Sequence, residues 1–299
     1  MNKTIIIGSR GSKLALWQAH FVQQQLKALG QPSDIKIIKT KGDAIQNMSF
    51  DKMEGKGFFT AEIEHALLSK EIDLAVHSLK DLQTQGVEGL TLAAVSERAN
   101  PADWLIIHPD SYDESQPMRI KKGAVIGTSS ARRKAQLLHF RPDIQIQDIR
   151  GNVPTRIKKI HTENLDGAVL AAAGITRLEI DLKDYKVFEF NPKEFVSAPA
   201  QGVLGLQVRE EDITLRKVLS KMHHAATSSR TNIERSVLKL LGGGCQTPLG
   251  VYCETDDLNN YHVWAAYAKQ WNSPVQHIQV SSATSSGLAE AVIEKIKAT

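Results

Sequence analysis

The sequence predicts an α/β protein, with two α/β domains of similar size followed by a small α+β domain. Three observations carry this. Short apolar strands alternate with amphipathic helices through the first part of the chain. The same alternation restarts after a polar loop with two prolines, HPDSYDESQPMRIKKG at 108–123. Beyond SAPAQGVLGLQV (197–208) the order changes to two helices, three strands and a last helix. At 299 residues the chain is long enough to bury more than one core.

In order, KTIIIGS (3–9) reads as a strand and 12–30 as a helix with Leu14, Trp17, Phe21, Leu26 and Leu29 on its apolar side, closed by Gly30. DIKIIKT (34–40) is a strand, FFTAEIEHALLSK (58–70) a helix, and DLAVHS (73–78), LTLAAV (90–95) and WLIIH (104–108) are strands. The second round gives a strand at 124–129, a helix at 130–140, a strand at 143–149, a helix at 153–161 and a strand-to-turn segment at 166–175. The sheets are expected to be mainly parallel. Helices at 212–222 and 225–241, strands at 249–255, 261–268 and 275–282, and a helix at 285–298 complete the chain. No fixed-period repeat is present, which excludes a solenoid.

Composition removes several classes of function. The N-terminal apolar stretch is too short for a signal peptide, and the longest apolar run, Gly167 to Ile175, cannot span a bilayer. A cytoplasmic protein with no membrane partner is expected. Two cysteines, Cys245 and Cys253, cannot make a disulfide framework or a cysteine zinc site. His223 and His224 have no acidic or cysteine neighbours at ligand spacing, so they read as a helix start, and nothing calls for a metal. Aromatic residues are only 6%, and the basic residues sit singly in separate loops, which argues against nucleic acid.

The placement of those basic residues is unusual. A helix N-terminus favours acidic residues, yet Arg10 and Lys13 flank Ser12, and Lys56 lies between two glycines before a helix. Arg132, Arg133 and Lys134 follow Ser129 and Ser130, and Arg150 precedes, with Arg156 inside, the helix marked by early Pro154. Four such strand-to-helix turns suggest one polyanionic ligand between two α/β domains, beyond the carboxyl ends of the strands. Neither the Walker A nor the dinucleotide spacing is present, and the sparse aromatics and scattered basic residues favour small polycarboxylates over phosphodiesters. AVHSLKDL (75–82) runs from a strand into Lys80 and Asp81, whose carboxylate either stabilises a developing cation or forms a structural ion pair. Finally, LLGGGCQTPLG (240–250) places Cys245 after three glycines, on a backbone too permissive for a packed structural cysteine.

SRGSKLALWQA, KGDAI, GKGFFTAEIEHALL, DLAVHSLKDL, GTSSARRKAQLL, IRGNVPTR, AAAGITRL, APAQGVLG and GGGCQTPLG occur in this order, and together they resemble the porphobilinogen deaminase (hydroxymethylbilane synthase) family over nearly the whole chain. The resemblance implies two type II periplasmic-binding-protein-like α/β domains, 1–99 with 199–219 and 100–198, and a small α+β domain at 220–299. It implies a dipyrromethane cofactor held by a thioether at Cys245, with no such role for Cys253. Asp81, Lys80, Arg10 and Arg150 match catalytic positions. Ser12, Thr128, Ser129, Ser130, Arg132, Arg133, Arg150, Gly151, Gln201 and Gly244, with Asp81 and Lys80, match cofactor-binding positions. Arg10, Arg150, Arg156, Arg177, Lys52 and Lys56 match substrate-binding positions, the last two in a segment over the cleft. The implied reaction condenses four porphobilinogen molecules, releasing ammonia and then linear hydroxymethylbilane, in a monomer. Gly242 and Gln83 depart from the common pattern, which has an acidic residue and a proline there. The competing expectation is a non-enzymatic bilobed anion-binding module, which would need neither Cys245 nor the Lys80–Asp81 pair.

Overall fold

The computed structural model describes residues 3–40, 60–244 and 246–298. They fall into two compact units, and the chain passes from one to the other at 99–100, 201–202 and 229–230.

In the first unit, β1 (Ile5–Ser9), β2 (Ser33–Ile37), β3 (Leu74–Ser78), β4 (Leu90–Val95) and β10 (Leu204–Arg209) form one sheet in the order β2-β1-β3-β10-β4. β1 pairs in parallel with β2 and β3, while β10 runs antiparallel to β3 and β4. Alternation along the strands sends side chains to both faces. Helix α1 (Lys13–Ala28) packs Ala19, Val22 and Leu26 against Ile7, Leu74 and Val76, alongside Leu215 and Leu219 of α6 (Ile213–Leu219). Helix α2 (Ala61–Leu68) packs Ile63, Ala66 and Leu67 with Ile72 and Ala75 in a separate cluster. Ser12 caps α1 by accepting from the Ala15 N–H at 3.3 Å, and Gly30 ends it with φ 70°.

The second unit repeats the pattern. β5 (Asp103–Ile107), β6 (Val125–Gly127), β7 (Gln145–Gln147), β8 (Gly167–Ala171) and β9 (Lys186–Glu189) lie in the order β7-β6-β8-β5-β9. Again three parallel strands are followed by one antiparallel strand, here β5. Both sheets thus share one 2-1-3-n-4 order, in keeping with the pair of like α/β domains that the resemblance implies. Leu137 of α3 (Ala131–Phe140) packs with Leu105, Ile107 and Val169. Ile157 and Ile160 of α4 (Val153–Thr162) pack with Ile106, Ala168 and Leu170.

The same unit holds an antiparallel sheet of β11 (Leu249–Thr255), β12 (Tyr261–Tyr267) and β13 (Gln276–Ser282). Ile233 and Val237 of α7 (Ala225–Leu240) join Leu288, Val292 and Ile296 of α8 (Leu288–Lys297) against Val251, Cys253, Val263 and Ala265. Cys253 is therefore an ordinary core residue. His224 starts α7, its Nδ1 accepting from the Thr227 N–H at 3.1 Å.

Two features differ from the sequence expectation. The strand at 166–175 ends at Ala171, and Ala172–Arg177 is a helix, α5, whose small residues Ala172, Ala173 and Gly174 are buried. β9 and β10 were not expected as strands. β9 is only four residues long, and fully buried β10 carries Gln207 and Arg209, polar side chains satisfied inside the fold.

Candidate active site

In the first unit, β1 and β3 are parallel neighbours, so the turns after Ser9 and Ser78 lie at the same carboxyl edge of the sheet. The first turn carries Arg10, Gly11 and the cap Ser12, and the first turn of α1 holds no acidic residue. The second is a 3-10 turn, Leu79–Asp81. Its geometry is set from below. Leu79 is fully buried and donates its N–H to Val203 O at 2.9 Å, while Gln18 of α1 donates to Ser78 Oγ at 2.9 Å. Lys80 is half-buried, and Asp81 leaves the turn into solvent.

Directly behind this turn runs a buried polar chain. His77 Nε2 lies 2.9 Å from Gln207 Oε1, and Gln207 Nε2 donates to Glu64 Oε1 at 3.2 Å. Because the Gln207 amide nitrogen faces a carboxylate, its oxygen accepts and His77 carries its proton on Nε2. Burial pushes His77 down from 6.5 to about 4, against the opposing effect of the Gln207 bond. As pH falls through that window the unfolded chain takes up a proton that the folded one refuses. Stability should fall by up to about 3 kcal/mol between neutral pH and pH 4 from this group alone. Urea midpoints measured across that range, beside a His77→Gln variant, should show the variant losing that part of the acid sensitivity.

In the second unit, the turns after β6 and β7 share a carboxyl edge in the same way. Thr128 Oγ1 accepts from the Ser130 N–H at 3.3 Å, and Ser130 Oγ caps α3 at the Arg133 N–H. Ser129 Oγ donates to Ile149 O at 2.8 Å, tying the first turn to the one that carries Arg150 and Gly151. Gly151 has φ 114°, and a Cβ there would stand 2.6 Å from Thr155 Cγ2, so only glycine fits. Arg156 Nε donates to Gly151 O at 2.7 Å, which folds that side chain back over the same turn. Arg177 is not at the strand edge. It sits in the last turn of α5, where burial pushes it down to about 10.

The basic residues of α3 have internal partners that the sequence did not reveal. Asp103, fully buried at the start of β5, accepts from Arg132 Nη1 at 2.7 Å and from Arg133 Nη2 at 2.7 Å and Nε at 3.2 Å. Arg132 Nη1 also reaches Val196 O at 2.9 Å, and Arg133 Nη1 reaches Val169 O at 3.0 Å. Gln201, equally buried, donates to Asp103 Oδ1 at 3.0 Å and to Pro101 O at 2.8 Å. Burial alone would raise the Asp103 carboxyl, but the two guanidinium charges and their hydrogen bonds outweigh it and hold Asp103 well below the usual carboxylate range. Lys134 pairs with Asp148 at 2.7 Å and lies over the Trp271 ring. Arg133 is thus paired in the interior and Lys134 with an exposed carboxylate, while the Nε and Nη2 of Arg132 carry no hydrogen bond among the described residues. Asp103 is the site residue that sequence reasoning missed; its only signal is an acidic residue opening the apolar run DWLII.

The glycine run is the C-terminal cap of α7. Gly242, at φ 70°, donates to Lys239 O at 3.0 Å, and Gly243 donates to Leu238 O at 3.1 Å. This explains the glycine at 242: an acidic side chain there would be held in a left-handed backbone. Gly244 N–H donates to Thr247 Oγ1 at 2.9 Å and Gly244 O accepts from the Thr247 N–H at 3.0 Å, closing a small ring on either side of position 245. Cys245 itself, Lys52 and Lys56 lie outside the described residues.

Known proteins match this chain closely. The family model described as porphobilinogen deaminase, dipyromethane cofactor binding domain, covers residues 5–217, and that of the C-terminal domain covers 229–265. A porphobilinogen deaminase of Shouchella clausii is 46% identical over 84% of this chain and 79% of its own length. One of Carboxydothermus hydrogenoformans is 43% identical over 88% and 83%. Among solved structures, a periplasmic binding protein of Salmonella typhimurium aligns with 76% of this chain and 94% of its own at 13% identity and a TM-score of 0.43. The two domain matches together with identities above two-fifths over most of both chains leave one conclusion, that this chain belongs to the porphobilinogen deaminase family.

Proposed function

We propose that this chain is a hydroxymethylbilane synthase, which joins four porphobilinogen molecules head to tail on a dipyrromethane primer and then frees the linear product by hydrolysis. In each condensation a C–C bond forms between a pyrrole carbon and the incoming aminomethyl carbon, the C–N bond breaks, the pyrrole carbon gives up its proton, and the nitrogen leaves as ammonium. The observation that carries this reading is the exposed Asp81 carboxylate on its buried Leu79 anchor, one strand away from the Arg10 turn. A carboxylate fixed there accepts pyrrole N–H groups and stabilises positive charge as it develops on them. It also takes and returns a proton within hydrogen-bond reach. Lys80, Arg10 and Arg150 complete the catalytic set in this reading.

The residues suit the primer. In the cap a Cβ at Gly242 or Gly244 would meet nothing within 4 Å, whereas one at Gly243 would stand 2.5 Å from Thr247 Oγ1; in this reading the primer is attached through the Cys245 thiol. Bound, the dipyrromethane supplies the pyrrole carbon that attacks the first substrate. Ser12, Thr128, Ser129, Ser130, Gly151, Gln201 and the open donors of Arg132 hold its acetate and propionate groups or the loops beside them, with Arg133 supporting Arg132 through Asp103. Arg156, Arg177, Lys52 and Lys56 take the carboxylates of arriving substrate. No described helix is long and apolar enough to cross a membrane, and we place the enzyme in the cytoplasm as a monomer. It divides into domains 1–99 with 199–219, 100–198 and 220–299.

The test is the intact mass of the purified protein beside a Cys245→Ser variant. Two deaminated porphobilinogen units should be present on the wild type and absent from the variant. An unmodified wild type that porphobilinogen cannot load would sink the reading, and the anion-binding module would replace it.

A further inference from the structure

One buried carboxylate has no part in the chemistry above. Glu234 is fully buried on α7, and its two oxygens accept from different chain segments: Oε2 from the Ala200 N–H at 2.6 Å and Oε1 from the Cys253 N–H at 2.8 Å. β11 is an edge strand, so its outward N–H groups have no neighbouring strand. The segment 196–200 runs along that edge instead, with Val251 N–H donating to Ser197 O at 2.9 Å and Gly250 pressed against the Val196 carbonyl. Cys253 is the next outward N–H, and Glu234 closes it. Ala200 adopts φ 61°, a left-handed conformation that a non-glycine residue holds only when its surroundings fix it.

We infer that Glu234 is the positioning residue of the cofactor loop. Its carboxylate joins three things in one place. Ala200 precedes Gln201, which holds Asp103 and through it Arg132. Cys253 belongs to the sheet on which α7 rests. From Glu234, α7 rises about 9 Å to Leu240, where the Gly242–Gly243 cap hands the chain to Gly244 and the cysteine. The carboxylate therefore fixes the distance between the primer's attachment loop and the turn that binds its carboxylates. A carboxylate suits this task because both of its oxygens accept, whereas a glutamine would turn its NH2 toward one of the two N–H donors. The inference rests on the primer reading above.

The experiment follows primer uptake by mass, using apo-protein made in a host that supplies no porphobilinogen. Wild type, Glu234→Gln, Glu234→Asp and a core truncation on α8, Ile293→Val, are each mixed with porphobilinogen. Glu234→Gln should acquire the primer about tenfold more slowly than wild type, Glu234→Asp should fall between them, and Ile293→Val should match wild type. Glu234→Gln priming no more slowly than Ile293→Val would overturn the role, as would an insoluble Glu234→Gln beside a Glu234→Asp that primes at the wild-type rate. Wild-type protein that never gains the mass would sink the primer reading itself. Priming wild type beside an indifferent Glu234→Gln would sink only the role of Glu234.

Discussion

Asp81→Asn should fold normally and turn over at least about a hundredfold more slowly than the wild type, the scale on which a preorganised electrostatic group acts. Normal folding is expected because the Asp81 side chain is exposed and the turn is anchored by Leu79, Ser78 and Gln18 rather than by the carboxylate. The loss is expected because an amide keeps the shape and an acceptor oxygen but not the charge. Cation stabilisation and proton transfer both depend on that charge. Asp81→Glu keeps it but extends its reach by one methylene, and should retain more activity than Asp81→Asn. Ammonia release, thermal midpoints and intact mass would be measured on all three proteins. Near-wild-type ammonia release by a folded, primed Asp81→Asn would remove Asp81 from the chemistry.

The sequence made the frame and the edges of the site legible for a physical reason. Period-2 and period-3.6 apolar patterns survive in the chain wherever one face is buried, so the strands through β8 and most helices could be read directly. A helix end was equally clear where a glycine acts locally, as Gly30 does at the end of α1. What could not be read is long-range pairing of polar groups. Arg133 and Lys134 look like ligand-binding cations in sequence, yet their carboxylate partners, Asp103 and Asp148, lie 30 residues upstream and 14 downstream. Gln207 and Arg209 hid β10 for the same reason, since their partners Glu64 and Asp73 come from far upstream. A basic residue at the start of a helix therefore need not face a ligand, since an internal carboxylate can hold it, as Asp103 and Asp148 hold Arg133 and Lys134.

That division gives Asp103 the larger structural consequence. Asp103→Asn should destabilise the second unit by about 3–5 kcal/mol, the usual result of removing one partner from a buried ion pair. The asparagine side chain fits the space but leaves the Arg132 and Arg133 guanidiniums, both almost wholly buried, facing a neutral amide. Adding Arg133→Met to the variant should recover part of the loss, because it removes one of the uncompensated charges. The pH dependence has a definite sign. The folded carboxyl is held below its unfolded value, so its stabilisation is complete above an unfolded value of about 4 and is lost as pH falls from there toward the folded value. Wild type and variant should therefore differ fully at neutral pH and converge only in strong acid. Urea denaturation at pH 7 and in acid, followed by circular dichroism, measures both. A neutral-pH difference that vanishes already at pH 5 would show that Asp103 is not held as an ionised partner. A variant as stable as wild type at pH 7 would show that the two arginines draw their stability from Val196 and Val169 instead.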